Sequence, residues 1–229
     1  MISALTDLRG STQEIRLVLQ EIVASTTPAS LSDPKVQRAN KLICNSVPVV
    51  LSGHLETFLR DCSKRFMSRL EAKGKAFSAL PPAMQSCHYS SGGQVLHKLQ
   101  EGRVSWVTCT TDDLVIRLAA AVTTVPTKPV WEAFGDTEAN PSGRVIKRYL
   151  TDFGIQEPDK KLDAKAHTGR KWAAFMNDLK IFIGARNVCA HSGQPSNPPS
   201  PSSLIGDCDL IDELGLRIVE LLDDHLASI

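Results

Sequence analysis

Arg186 and Asn187 are followed by His191 in the run Arg186-Asn187-Val188-Cys189-Ala190-His191. An imidazole titrates near neutrality and can take or give a proton at physiological pH, while a guanidinium can meet two phosphate oxygens at once. Cleavage of RNA by its own 2′-hydroxyl calls for such groups. One takes the hydroxyl proton, one protonates the departing 5′-oxygen, and a cation sits near the crowded phosphate. That chemistry requires no metal and no cofactor. A single histidine of this kind per chain leaves the proton transfers one partner short, and a two-fold dimer joining two such sites would supply it. The same residues have a purely structural reading: cations at a helix end oppose the negative end of the macrodipole and can bond the last carbonyls.

These residues need a helix to present them. Between positions 168 and 191, Trp172, Phe175, Met176, Leu179, Ile183 and Arg186 fall on one stripe with helical period. At 100° per residue Asn187 and His191 share a face, and Arg186 lies on the adjoining stripe, so all three can line one cleft at the helix end. An arginine on an apolar stripe is costly to bury unless an anion or a second subunit meets it. Ser192-Gly193 and Pro195 are expected to stop the helix, and SGQPSNPPSPSS reads as a Pro/Ser-rich loop.

Four other helices are expected, over about 13–24, 35–73, 142–153 and 207–228, each from apolar spacing of i, i+3, i+4, i+7 type. STTPASLSDP reads as a turn, and Asp33-Pro34 as an N-cap with proline at the first helical position. Pro48 predicts a kink or break near residues 44 to 48, and Gly154 a helix stop. The stretch 74–139 is less regular, with only Val95–Leu99 and Asp113–Val122 reading as short helices. There is no alternating strand pattern and no internal repeat, so the class is all-α, a helical bundle with an irregular middle segment. At 229 residues the chain is read as one domain, 1–229.

Composition narrows the partners. With 26 Lys+Arg against 25 Asp+Glu the formal charge is +1, so no whole-molecule field draws in a polyanion. Nucleic-acid contacts would have to come from local patches. The amino-terminal charges Asp7, Arg9, Glu14 and Arg16 interrupt any signal-peptide-like apolar run, and the windows LICNSVPVVL and LVIRLAAAVTTV fall short of a bilayer span. No membrane partner is expected. Six cysteines without a C-x-x-C pair fit buried thiols in a reducing compartment, which points to the cytoplasm.

The run RNVCAH resembles the R-N-x-x-x-H signature of HEPN domains, α-helical proteins many of which are metal-independent RNases in toxin–antitoxin and antiphage systems. VPVVLSGHLETFLRDC is similar to the second helix of the RiboL-PSP and related HEPN groups. The stretch from Asn140-Pro141 to Phe153-Gly154-Ile155 is similar to their helix ahead of the motif helix. The resemblance covers about residues 36–226, with RNVCAH its specific part. It implies that Arg186 contacts the phosphate and transition state, that Asn187 orients, and that His191 transfers the proton. It further implies that Glu56, matching the acidic position of the family's second helix, holds Arg186; as a residue alone, Glu56 reads equally as a polar position on a helix shoulder. The motif commonly runs from histidine straight to glycine, where this chain inserts Ser192. The expectation is a homodimeric, metal-independent endoribonuclease, a toxin or antiphage effector with an antitoxin or other regulatory protein as partner. The alternatives are a non-catalytic HEPN module for dimerisation or for RNA or nucleotide binding, and a plain helical interaction protein.

Weaker candidates stand beside this set. His54 lies off the apolar stripe of its helix and reads as a solvated or hydrogen-bonded histidine. Cys87-His88 with His97 lacks the frame of a metal site. Arg60, Lys64, Arg65, Arg69, Lys73 and Lys75 form one basic run and Arg144, Lys147 and Arg148 another, solvated faces that become backbone contacts if RNA binds. With little aromatic interleaving, base stacking in the manner of single-strand binders is not indicated.

Overall fold

A computed structural model describes residues 1–28, 32–137, 140–192 and 198–229. Among these residues there are nine α-helices, one 3-10 turn and no strand.

Helix α1 spans Ile2–Ser25 and so begins well before residue 13, where the periodic pattern starts to be legible. Asp7 and Arg9 break the apolar run but not the helix, because they fall on the exposed side while Ala4, Leu5, Leu8, Leu19 and Ile22 are buried. Part of the STTPASLSDP turn, residues 29–31, lies outside the described residues. The Asp33 carboxylate then accepts from Lys35 N at 2.8 Å, and Pro34 opens α2, Pro34–Glu71. The break expected near Pro48 does not occur: the helix is continuous through it, and Pro48 is buried between turns whose Cys44, Val47 and Leu51 all enter the core. Packing on α1, α8 and α9 holds those turns where proline removes one backbone bond. By length and composition α2 could cross a bilayer, with an 18-residue window of mean hydropathy 1.3, but half of that window is buried inside the fold.

The middle third is more helical than its pattern suggests. After a 3-10 turn at Phe77–Ala79 come α3 (Pro82–Gln100), α4 (Thr111–Thr123) and the single turn α5 (Glu132–Gly135). The two short helices expected at 95–99 and 113–122 lie inside α3 and α4. A capping box starts α4, with Asp113 N donating to Thr110 Oγ1 at 3.1 Å and Thr110 N to Asp113 Oδ2 at 3.3 Å. Helix α6 (Gly143–Asp152) stops just before Gly154, and α7 (Pro158–Ala164), α8 (Trp172–Ser192) and α9 (Pro201–Ser228) complete the chain. Pro201, Ser202 and Ser203, expected in a loop, form the first turn of α9. Ser200 Oγ accepts from Ser203 N at 3.1 Å and proline occupies N1, the position where its missing donor costs least. Gly193 and Pro195, expected to stop α8, fall outside the described residues.

Helices α1, α8 and α9 all pack on α2, whose buried Leu51, Leu55, Leu59, Cys62, Phe66 and Leu70 form the middle of the main core. Phe175 and Phe182 of α8 and Phe153 after α6 are fully buried in it. A smaller cluster of Val95, Val104, Val107, Leu114, Ala121 and Val130 lies under the middle segment. Within the main core, Tyr149 OH donates to Leu59 O at 2.9 Å and lies 3.1 Å from Ser63 Oγ, itself 3.2 Å from Phe134 O, so α2, α5 and α6 are fixed to one another. Burial pushes the Tyr149 hydroxyl well above its ordinary pKa, keeping it a neutral donor. All six cysteines are free thiols and five are buried; burial pushes Cys208 up to about 12.

Candidate functional site

Helix α8 is anchored at its start. The Asp163 carboxylate accepts from the backbone N–H of Trp172, and Trp172 Nε1 donates to Asp159 Oδ1 at 2.9 Å. Phe175, Leu179, Phe182 and Ile183 then bury the stripe that Arg186 continues at the far end. Arg186 is half-buried, Asn187 half-buried on the shoulder, and His191 exposed one turn further on. This is the angular order that 100° per residue predicts.

Arg186 Nη1 donates to Asn187 Oδ1 at 3.3 Å, and Asn140 Nδ2 donates to the same oxygen at 2.6 Å. Arg186 Nε is buried with no acceptor, and no carboxylate lies within ion-pair reach of the guanidinium among the described residues. The resemblance implied that Glu56 holds Arg186. Instead the Glu56 carboxylate accepts from Arg60 Nη2 at 3.4 Å, one turn along α2, the nearest cation on its own helix face. Among the described residues neither Arg186 nor His191 donates to a carbonyl of the last turn of α8, the bond that a purely capping role would use.

Asn140 joins this helix end to a cleft of about 310 Å³ lined by Glu56, Arg60, Lys98, Trp106, Asp136 and Asn140. Lys98 pairs with Asp136 across it. Of the four residues singled out by sequence, Arg186 and Asn187 therefore touch, Glu56 sits on the wall of the cleft that Asn140 connects to them, and His191 is exposed in the last turn of α8. What sequence reasoning missed is the cleft itself. Asn140 read only as a helix entrance and Arg60 only as one member of a basic run, while Lys98, Trp106 and Asp136 lay in the stretch with weakest periodicity.

The weaker candidates take ordinary places. His88 is buried with Nε2 3.1 Å from Leu118 O, and burial lowers its pKa, while the Cys87 thiol faces Ala133 O at 3.5 Å. Among the described residues no three His, Cys, Asp or Glu side chains gather as metal ligands would. The basic runs are largely engaged: Arg69 pairs with Asp223, Lys73 donates to Leu226 O and Lys147 pairs with Asp159.

Searches among curated proteins and among solved structures give no match. A model of the family described as RiboL-PSP-HEPN matches residues 7–227, almost the full chain and every helix of the site, and the chain belongs to that HEPN family.

Proposed function

We propose that this HEPN protein is a metal-independent endoribonuclease working as a homodimer in the cytoplasm, a toxin or antiphage effector held in check by an antitoxin or other regulatory protein. HEPN domains form a nuclease and RNA-binding superfamily, and many of them are RNases. The observation that carries the reading is the Arg186–Asn187–Asn140 link. It holds a guanidinium that has no counter-ion among the described residues beside a polar cleft, with an exposed imidazole on the next turn.

In this mechanism His191 takes the 2′-hydroxyl proton, the 2′-oxygen attacks phosphorus, and the bond to the 5′-oxygen breaks as a second proton reaches that oxygen. The products are a 2′,3′-cyclic phosphate and a 5′-hydroxyl. Arg186 lies against the phosphorane and Asn187 fixes the guanidinium. The second proton comes from His191 of a second copy. Ile181, 64% exposed, and Val188, 49% exposed, flank the exposed Gly184 on the face of α8 that ends at His191, which gives a partner copy an apolar strip continuous with the site.

Structured RNA incubated with the protein in EDTA is expected to yield fragments with cyclic phosphate ends, and His191→Ala to stop the reaction while the circular dichroism spectrum stays helical. RNA left intact across a range of pH and salt, but retained on the protein, would favour the non-catalytic binding module.

A further inference from the structure

The cleft beside Asn140 contains an aromatic ring that the cleavage chemistry does not use. Trp106 lies in the connector between α3 and α4, half-buried on the cleft wall. The Arg60 guanidinium carbon stands over its ring at 5.1 Å from the centroid, and Trp131 packs against it with centroids 5.6 Å apart and planes inclined by 50°. Gly135 is what lets this group close up: a Cβ there would stand 3.2 Å from the Trp131 ring and 3.5 Å from Arg60 Cγ. Arg60 Nε is buried and has no acceptor among the described residues. The 5% aromatic content gave no hint of stacking, because Trp106 and Trp131 come from separate connectors that only the fold brings together.

The polar groups around the ring carry both signs. Glu56 and Asp136 stand among Arg60, Lys98 and, at the rim, Arg103. A pocket built for phosphate alone would leave its cations unpaired, whereas here Arg60 faces Glu56 and Lys98 pairs with Asp136; a nucleobase presents donors and acceptors on its edge and a π face that stacks on indole or guanidinium. A volume of about 310 Å³ is at the small end of ligand pockets and suits one nucleotide unit rather than a duplex.

We propose that this cleft is a base-binding subsite: one unpaired nucleobase of the RNA strand enters beside Trp106 and Arg60 and thereby sets the adjoining phosphate at Arg186. This rests on the reading that RNA occupies the end of α8, and it adds where the strand is gripped and an expected preference for unpaired regions.

The test uses nucleosides, which lack phosphate. Guanosine, adenosine, cytidine and uridine are each titrated into the intact protein by calorimetry and by NMR of the indole N–H signals of its 3 tryptophans. At least one nucleoside should bind and shift the Trp106 signal while that of Trp172, buried at the start of α8, stays in place. Trp106→Ala should weaken binding at least about tenfold and Trp106→Phe, which keeps a stacking ring, should retain most of it; if the alanine variant does not fold, the phenylalanine variant and the wild-type shifts decide. His191→Ala should bind nucleosides like the wild type. No shift with any of the four, or equal binding by folded Trp106→Ala, overturns the subsite. RNA cleavage without nucleoside binding removes the subsite and leaves the nuclease; nucleoside binding at Trp106 without RNA cleavage keeps the subsite and removes the nuclease.

Discussion

Asn140 donates a 2.6 Å hydrogen bond to the side-chain oxygen of Asn187, the same oxygen that Arg186 Nη1 meets at 3.3 Å. A residue at the entrance to α6 thus braces the motif at the end of α8. Asn187 is the hinge of that relationship: its oxygen accepts from both sides, so the guanidinium and the cleft wall keep a fixed distance.

Asn140→Ala should therefore act on catalysis more than on stability. The bond joins two half-buried groups and is worth about 1 kcal/mol to the fold, but a guanidinium displaced by a fraction of an ångström loses alignment with a phosphorane. The expected outcome is a fall of about tenfold or more in single-turnover cleavage with a urea midpoint close to wild type. A variant that unfolds early and cleaves normally once folded would contradict this.

Arg217 is fully buried in α9, paired with Glu213, donating to Arg170 O at 2.9 Å and lying 4.9 Å from the Phe175 ring centroid. It holds the connector before α8 against α9. Arg217→Met takes the donor from the Leu162 and Arg170 carbonyls and leaves Glu213 with Thr168 Oγ1 in place of its cation, and should cost about 3–5 kcal/mol, measured by urea denaturation. The double variant Arg217→Met, Glu213→Gln should recover part of that loss; a single variant of wild-type stability would show that the buried pair holds nothing.

Asp207 on α9 has its pKa pushed up to about 6 by burial and by the nearby Asp178 charge. The folded state thus holds this proton more tightly than the unfolded chain, so its stabilising contribution is full below the ordinary carboxylate pKa and is lost as pH rises through about 6. Since the group is partly solvated, Asp207→Asn should stabilise the protein at pH 7.5 by about 1–2 kcal/mol and change little at pH 4. Equal urea midpoints for variant and wild type at pH 7.5 would contradict it.

Ile181→Asp or Val188→Asp places a charge on the exposed strip of α8. If that strip joins two copies, either variant should lower the mass seen by light scattering from dimer to monomer and abolish cleavage while leaving helical content intact. A wild-type protein that is a monomer at micromolar concentration and still cleaves RNA would remove the composite site.

Much of the frame is written locally in the sequence. Asp33-Pro34 marks the start of α2 because capping needs only neighbours, and the α8 stripe is legible because each turn buries the same face. Helix α3 is not legible in this way. Its Ser90-Ser91-Gly92-Gly93 run has poor helix propensity, and what holds it is tertiary: a Cβ at Gly92 would stand 2.7 Å from Leu118, so the glycine admits α4. The motif residues could be placed on one helix end from spacing alone. The cleft could not, since Glu56 and Arg60, Lys98, Trp106, Asp136 and Asn140 come from four separate stretches of chain.

In the proposed reaction His191 and Arg186 act together at one phosphate, and single-turnover cleavage of a short single-stranded RNA in EDTA measures that most directly. His191→Ala and Arg186→Ala are each expected to slow the reaction by at least about a hundredfold, with the double variant little worse than either and all three proteins equally helical. Cleavage at the wild-type rate by folded His191→Ala would contradict it.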